Sequence, residues 1–285
     1  MPDEKSGRTD VMTLFVYDES RKSASLLRFP CDTYAEIQNR VTGERKAIKL
    51  SDLYARFLKT GKDPASSARA LCSYLTENLG IPVSDFVLTG PEGVRKTVDL
   101  LGGIPVTLNE GVDCDDETRN LSVHLRAGTQ TLNGAEAEAW VRYRAGLTPD
   151  ERAKSGTREP FLAGVHTAAK KALSSPGALV SLLPVILKNG KTSLSLPAVI
   201  RLARQMMKLG KDAFSFPPLP GMITDAGEER YFVIDRRAAA SLFSSLFPER
   251  EESVFDPHGV LGGKPEENNH PQSEQNETKT PKAGA

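Results

Sequence analysis

Cysteine is scarce in this chain of 285 residues, and Cys31, Cys72 and Cys114 stand apart with no Cys-x-x-Cys or Cys-x-x-His spacing. That spacing argues against a structural zinc site. An odd number cannot pair fully within one chain, so free thiols are the plainer reading, and the redox compartment stays open. Long apolar runs are missing too. The longest, ALVSLLPVIL from Ala178 to Leu187, contains a proline and falls well short of the roughly 20 residues a membrane helix needs. The opening MPDEKSGRTD lacks the charged and apolar regions of a secretory signal. The expectation is either a cytoplasmic protein or one whose anchor lay upstream and has been removed.

Net charge is also absent, with 37 Lys and Arg against 37 Asp and Glu. There is no overall basic field to draw nucleic acid, and no recognisable helix-turn-helix, so a DNA-binding regulator is the weakest of the readings. Any anion must be met by a local cluster. No Gly-x-Ser-x-Gly, P-loop or Gly-x-Gly-x-x-Gly occurs, which leaves hydrolase and nucleotide-binding readings without support. His124 and His166 have no partner at metal spacing.

What is present is ordinary globular usage, 39% hydrophobic and 26% charged, enough for one large domain. VMTLFVY and ASLLRF flank the polar turn Glu19 to Lys22 and predict a hairpin. Leu53, Phe57, Leu58, Ala68, Leu71, Cys72 and Leu75 fall at helical spacing on either side of GKDP, so two helices are expected between Leu50 and Leu79. SDFVLTG reads as a strand, and PEGVRKTVDLLGG as a helix closed by Gly102 and Gly103. IPVTL and LSVHL read as strands either side of an acidic stretch, and Ala135 to Arg144 as a helix. Helices follow over Glu159 to Leu173 and in LPAVIRLARQMMKLG, then the strand RYFVID and the helix RRAAASLFSSLF. Interleaved strands and helices favour a layered α/β fold with helices on both faces of a mixed sheet. Residues 1–6 read as a leader remnant, 7–250 as the domain, and 251–285, rich in Pro, Asn, Gln, Glu and Gly, as a disordered polar tail.

Chemistry gathers in three places. Arg8, Thr9 and Asp10 precede the first strand, and Asp32 follows the second. If the strands form a hairpin, Asp10 and Asp32 meet at its open end, where two carboxylates suit a hard divalent cation that also engages phosphate. By pattern alone, turn or capping roles for the two aspartates carry more weight. The third place is Trp-Val-Arg-Tyr-Arg, with Arg142 and Arg144, followed by Arg152, Lys154 and Arg158. Guanidinium forks bind two phosphate oxygens at once. Residues two apart do not share a helix face, so both arginines meet one ligand only if the helix ends there, and Gly146 offers an ending. An isolated Arg-x-Arg is otherwise better read as a solvated basic loop.

Taken in order, GRTDVMTLFVYDES, LLRFPCDTY, FVLTGPEGVRKTVDLLGGIPVTL, TLNGAEAEAWVRYR and FPPLPGMITDAGEERYFVIDRRAAASLF resemble the successive blocks of LytR-CpsA-Psr domains, over roughly residues 7 to 248. The resemblance implies a three-layer αβα fold around a central mixed β-sheet, with an apolar slot for a polyprenyl chain and a polar mouth for its pyrophosphate. It implies an extracytoplasmic, membrane-anchored protein that moves a glycopolymer from a polyprenyl-pyrophosphate carrier to a peptidoglycan acceptor. Asp10 and Asp32 then look like the aspartates associated with Mg2+ (or Mn2+), and Asp32, Arg142 and Arg144 like the catalytic group. Arg8, Lys49, Arg142, Arg144, Lys154 and Arg158 look like the pyrophosphate-binding cations. The chain departs from the family pattern at Cys31, where arginine is usual, and at Ser155 and Glu159, where arginine and glutamine are usual. Glutamate beside a phosphate is repulsive. A phosphotransferase and a non-catalytic polyprenyl-phosphate binder therefore both follow from the resemblance.

Overall fold

A computed structural model describes residues 7–38, 41–61, 63–80, 82–117, 120–146, 160–172, 178–226 and 229–248. The expected leader remnant at 1–6 and polar tail at 251–285 lie outside the described residues. Strands β1 (Met12–Asp18) and β2 (Ser23–Phe29) form the predicted hairpin, with Met12 opposite Phe29 and Asp18 opposite Ser23. Asp18 ties the turn by accepting from the Ser20 hydroxyl and the Arg21 N–H. Next come β3 (Tyr34–Gln38) and β4 (Arg45–Lys49), an antiparallel pair that the sequence reading passed over. Their charged residues break the apolar alternation that marks a half-buried strand.

Helix α1 (Leu50–Lys59) starts at Lys49 without a side-chain cap. Its first N–H groups are met instead by the carbonyls of Cys31 and Thr33, at 3.2 and 2.8 Å. Helix α2 (Pro64–Leu79) is capped by the Asp63 carboxylate and ends at Gly80 in the left-handed region, φ 65°. These elements build the first core, in which Leu27, Leu50, Leu53, Leu79 and Phe232 are almost fully buried.

Strand β5 (Val87–Thr89) leads to α3 (Pro91–Leu100), closed by Gly102 and Gly103 at φ 79° and 86°. Strands β6 (Ile104–Leu108), β7 (Val112–Asp116), β8 (Leu121–Leu125) and β9 (Gly128–Leu132) pair as β6 with β9 and β7 with β8. The acidic stretch, to which the sequence reading assigned no element, contains β7. Its exposed aspartates alternate with inward-facing residues against LSVHL. Helix α4 (Gly134–Gly146) opens with a capping box: Asn133 Oδ1 accepts from the Glu136 N–H, and Glu136 Oε2 accepts from the Asn133 N–H. Helix α5 (Pro160–Ala172) lies on β6, where a Cβ on Gly164 would collide with the Pro105 carbonyl. A second core of Val98, Ile104, Val106, Leu121, Val123, Leu132 and Trp140 results.

Helix α6 (Ala178–Asn189) holds the apolar run with Pro184 inside it, and β10 (Gly190–Thr192) returns it to β5. Helix α7 (Leu196–Lys208), the short β11 (Phe214–Ser215), the hairpin of β12 (Gly221–Ala226) with β13 (Glu229–Ile234), and α8 (Arg236–Leu246) complete the described chain. The pairing of β11 parallel to β2 makes the β1-β2-β11 sheet mixed; the other described strand pairs are antiparallel, and Thr33 adds an isolated parallel bridge to Phe232. The α/β class expected from the interleaved pattern is the class observed. Among the described residues no helix is long and apolar enough to cross a membrane.

Candidate functional site

The site lies where the two cores meet, at the open end of the β1–β2 hairpin. Asp10 leaves just before β1 and Asp32 just after β2, so the hairpin register carries both to one end. The Cys31 thiol donates to the Asp10 carbonyl at 2.8 Å and stitches the two segments together. Thr9 fastens the first to α1, its N–H reaching the Ser51 carbonyl at 3.0 Å. The Arg8 guanidinium bonds Asp52 at 2.8 Å and the Ser51 hydroxyl at 3.3 Å.

Two ion pairs occupy the rim. Arg142 donates from Nε to Asp10 Oδ2 at 3.0 Å and from Nη1 to the Asn120 carbonyl at 3.2 Å. Lys49 Nζ lies 3.3 Å from Asp32 Oδ1 and 3.1 Å from Glu229 Oε2. Burial would lower the pKa of the Lys49 ammonium, but the hydrogen bond to Glu229 and the charge and hydrogen bond of Asp32 outweigh it and hold the pKa above the usual lysine value. Lys49 also stands over the Tyr231 ring, which meets Tyr34 edge-on.

Arg142 is buried, and its orientation is set from behind. Glu138, one turn earlier on α4 and also buried, lies 3.6 Å from Arg142 Nη1 through Oε1 and 3.0 Å from Arg95 Nη2 through Oε2. A chain of alternating charge, Arg95–Glu138–Arg142–Asp10, therefore runs from α3 through α4 to the hairpin. Its buried middle, Glu138 and Arg142, depends on its partners, because removing one leaves a buried charge less compensated, while Arg95 stands exposed at the outer end.

The structure thus joins Asp10 to Arg142 and Asp32 to Lys49, and puts Arg8 beside the same turn of α1. Arg144 falls within α4, whose end at Gly146 agrees with the expected stop, but its side chain lies outside the described residues, as do Arg152, Lys154, Ser155, Arg158 and Glu159. Three participants escaped the sequence reading. Glu138 and Arg142 do carry a signal, the i, i+4 spacing of opposite charges. Arg95 and Glu229 carry none, since they reach the site by tertiary packing.

The aspartate pair fits a hard divalent cation by donor type. Magnesium is commonly held by one or two carboxylates together with substrate phosphates, and each aspartate meets its basic partner through one oxygen. Among the described residues no three of His, Cys, Asp and Glu gather into a protein-only metal shell. Charge points the same way. Arg8, Lys49, Arg95 and Arg142 stand against Asp10, Asp32, Asp52, Glu138 and Glu229, so these nine groups alone do not attract an anion.

An apolar cavity of about 500 Å³ begins at Thr9 and Val11 and follows β1 to Tyr17. Leu71, Cys72 and Leu75 of α2 form another wall, and the segment from Pro82 to Leu88, Leu194 and Leu202 the rest. Burial pushes the Cys72 thiol up from its usual pKa. Polar rim and apolar slot are continuous through Thr9, which lines the cavity and precedes Asp10.

Comparison with known proteins identifies the family and the fold. The profile of the LytR_cpsA_psr family matches residues 2–247. The chain is 22% identical to the cell wall biosynthesis protein LcpA of Corynebacterium glutamicum, covering 89% of this chain and 51% of LcpA. It is 25% identical to the polyisoprenyl-teichoic acid–peptidoglycan teichoic acid transferase TagU of Bacillus licheniformis, covering 68% of this chain and 56% of TagU. The chain thus spans about half the length of these curated relatives. A solved structure described as "TagT bound to LI-WTA" superposes with a TM-score of 0.63 at 22% identity, over 87% of each chain, and shows the shared fold.

Proposed function

Since the chain belongs to the LytR-CpsA-Psr family, we propose that it transfers a glycopolymer from a polyprenyl-pyrophosphate carrier to peptidoglycan, outside the cytoplasmic membrane. The observation that carries the reading is the continuity of an apolar slot with a charged rim. Thr9 and Val11 both line the slot, and between them stands the Asp10 paired to Arg142. A long isoprenoid takes the slot, and its pyrophosphate then falls at the rim. The reading is supported by the curated relatives named for cell wall biosynthesis and for teichoic acid transfer.

In the proposed reaction an acceptor hydroxyl oxygen attacks the phosphorus that bears the glycan. The bond from that phosphorus to the bridging oxygen breaks, and polyprenyl phosphate leaves with the electron pair. Asp32, exposed at the rim, accepts the hydroxyl proton. Lys49, Arg142 and Arg144 orient the phosphates and stabilise charge on the leaving oxygen by preorganised electrostatics. Mg2+ or Mn2+ bound by Asp10 and Asp32 would neutralise phosphate charge. Arg8, Lys154 and Arg158 complete the proposed pyrophosphate cluster. Anchoring to the membrane by a segment outside this chain belongs to the same proposal.

One observation favours a second reading, a non-catalytic polyprenyl-phosphate binder. Asp32 is held by Lys49, which Glu229 engages as well, so its Oδ1 is committed to an ion pair rather than presented to an acceptor hydroxyl. A single assay separates the two. Release of lipid phosphate from a polyprenyl-pyrophosphate glycan is followed with and without magnesium, and lipid binding is measured in parallel. A transferase releases phosphate and loses that activity in Asp32→Ala while still binding lipid. A binder shows no turnover in the wild type. Arg144→Ala weakens binding of a pyrophosphate analogue by roughly 1.5 to 3 kcal/mol, the scale of a charged hydrogen bond. Unchanged binding at low salt would remove the proposed site.

A further inference from the structure

The charge of this chain is neutral in sum and uneven in place. Residues 160–211 contain eight cations, Lys170, Lys171, Lys188, Lys191, Arg201, Arg204, Lys208 and Lys211, and not one Asp or Glu. The remaining residues hold 29 of the 37 cations against all 37 acids. A segregation of this kind is a mark of attraction to an extended anionic surface.

The same segment is apolar and thinly covered. Helices α1, α2, α3 and α8 each bury at least two residues, whereas α7 buries none over its whole length. Yet α7 is strongly amphipathic, with Leu196, Val199, Ile200, Leu202, Ala203, Met206 and Met207 set against exposed Arg201, Arg204 and Lys208. Around its start, large apolar side chains stand in solvent: Leu196 is 50% exposed, Leu187 48% and Val87 64%. Chain connectivity brings Lys188 and Lys191 among them, because β10 follows α6 directly and sets Lys191 opposite Leu88 and Thr192 opposite Val87. This patch edges the slot, which Val87, Leu88, Leu194 and Leu202 line.

We propose that this cation-rich face, made of α6, β10 and α7 and bordered by Asp85 at Ser193 and Glu19 at Gln205, docks on an anionic lipid bilayer, with Leu187, Leu196 and Val87 entering the headgroup region and the lysines and arginines pairing with lipid phosphates. An amphipathic helix with a basic polar face and a half-covered apolar face binds a bilayer in this way. Charge complementarity selects the occupant: a protein partner needs an acidic face of matching shape, whereas a bilayer supplies negative charge and hydrocarbon together. The inference rests on the reading of the slot as a polyprenyl site in one respect, that docking at its edge lets a lipid tail enter without crossing water.

The test is sedimentation of the chain with vesicles that contain no polyprenyl lipid. With phosphatidylglycerol and phosphatidylcholine in about equal amounts, the chain pellets at low salt and is released as salt rises, and phosphatidylcholine alone leaves it in solution. Arg201→Glu with Arg204→Glu lowers partitioning about tenfold or more, while Lys46→Glu with Lys59→Glu, the same charge change on β4 and α1, has little effect. Leu196→Trp gives a second readout, since the native Trp140 is buried. Its emission shifts to the blue on anionic vesicles and not on neutral ones. Failure to pellet at low salt, equal losses in the two double variants, or binding to soluble polyphosphate without binding to vesicles would overturn the proposal. Docking on vesicles by a chain that binds no polyprenyl phosphate would leave this proposal standing and sink the functional reading instead.

Discussion

Arg142 and Asp10, 132 residues apart in the chain, are joined by a 3.0 Å bond from Nε to Oδ2. Arg142 belongs to the helix that covers the second core, and Asp10 to the entry of the hairpin that forms the first. Their pairing fixes the polar rim against the apolar slot, and it depends on Glu138 behind it.

Replacing Arg142 by alanine should therefore lower stability as well as binding. It leaves part-buried Asp10 without its cation and buried Glu138 with Arg95 alone, a change of up to about 3 to 5 kcal/mol for a broken buried pair. Urea denaturation measures it. Adding Asp10→Asn should recover part of the loss, because Asp10 is the carboxylate left without its cation. If Arg142→Ala unfolds at the same urea concentration as the wild type, the charge chain contributes nothing.

Filling the slot should separate lipid binding from phosphate binding. Ala68 is buried on α2 and lines the cavity, so Ala68→Phe projects a ring into it at a packing cost of about 1 to 3 kcal/mol. Affinity for a polyprenyl phosphate should fall while affinity for inorganic pyrophosphate stays. Cys72, on the same wall, reports occupancy: a bound isoprenoid should slow its alkylation in the wild type. Equal alkylation rates with and without lipid would mean that the chain binds elsewhere.

Lys49 predicts an alkaline limb in the stability curve. Its folded pKa is raised above the ordinary 10.5, so the stabilisation is complete below that value and disappears as pH rises through the higher folded pKa. Lys49→Met should flatten the decline between wild-type and variant stabilities above about pH 10.5. A parallel pair of curves would show that the ammonium gains nothing from Asp32 and Glu229.

On the β7–β8 hairpin, His124 bonds the Asp113 carboxylate through Nδ1 and lies 3.4 Å from Asp115 through Nε2. The hydrogen bond to Asp113, followed by the charges of Asp115 and Asp113, raises its pKa above 6.5. Any stabilisation it gives is present below the unfolded value and lost as pH rises through the folded one. Titration by NMR should place His124 above the ordinary histidine value, and Asp113→Asn should bring it down. No movement in that variant would assign the shift to another source.

Much of this molecule is written locally. The hairpin of β1 and β2, the caps at Asp63 and Asn133, the glycine stop after α3 and the apolar periodicity of α2 depend on neighbours within a few residues, and the sequence determined them. It also determined that Asp10 and Asp32 share a hairpin end, because strand register follows from the turn. Strands β3 and β4 were not legible, since charged residues interrupt their apolar alternation, and β7 was passed over as an acidic stretch although Val112 and Cys114 alternate with exposed aspartates. Tertiary structure alone decided which cation meets which carboxylate. Arg142 reaches Asp10, Lys49 reaches Asp32, and Arg95 and Glu229 arrive from elements far away in sequence. An ion pair forms between groups that packing brings within a few ångströms, and a sequence fixes the charges of those groups but not the distance between them.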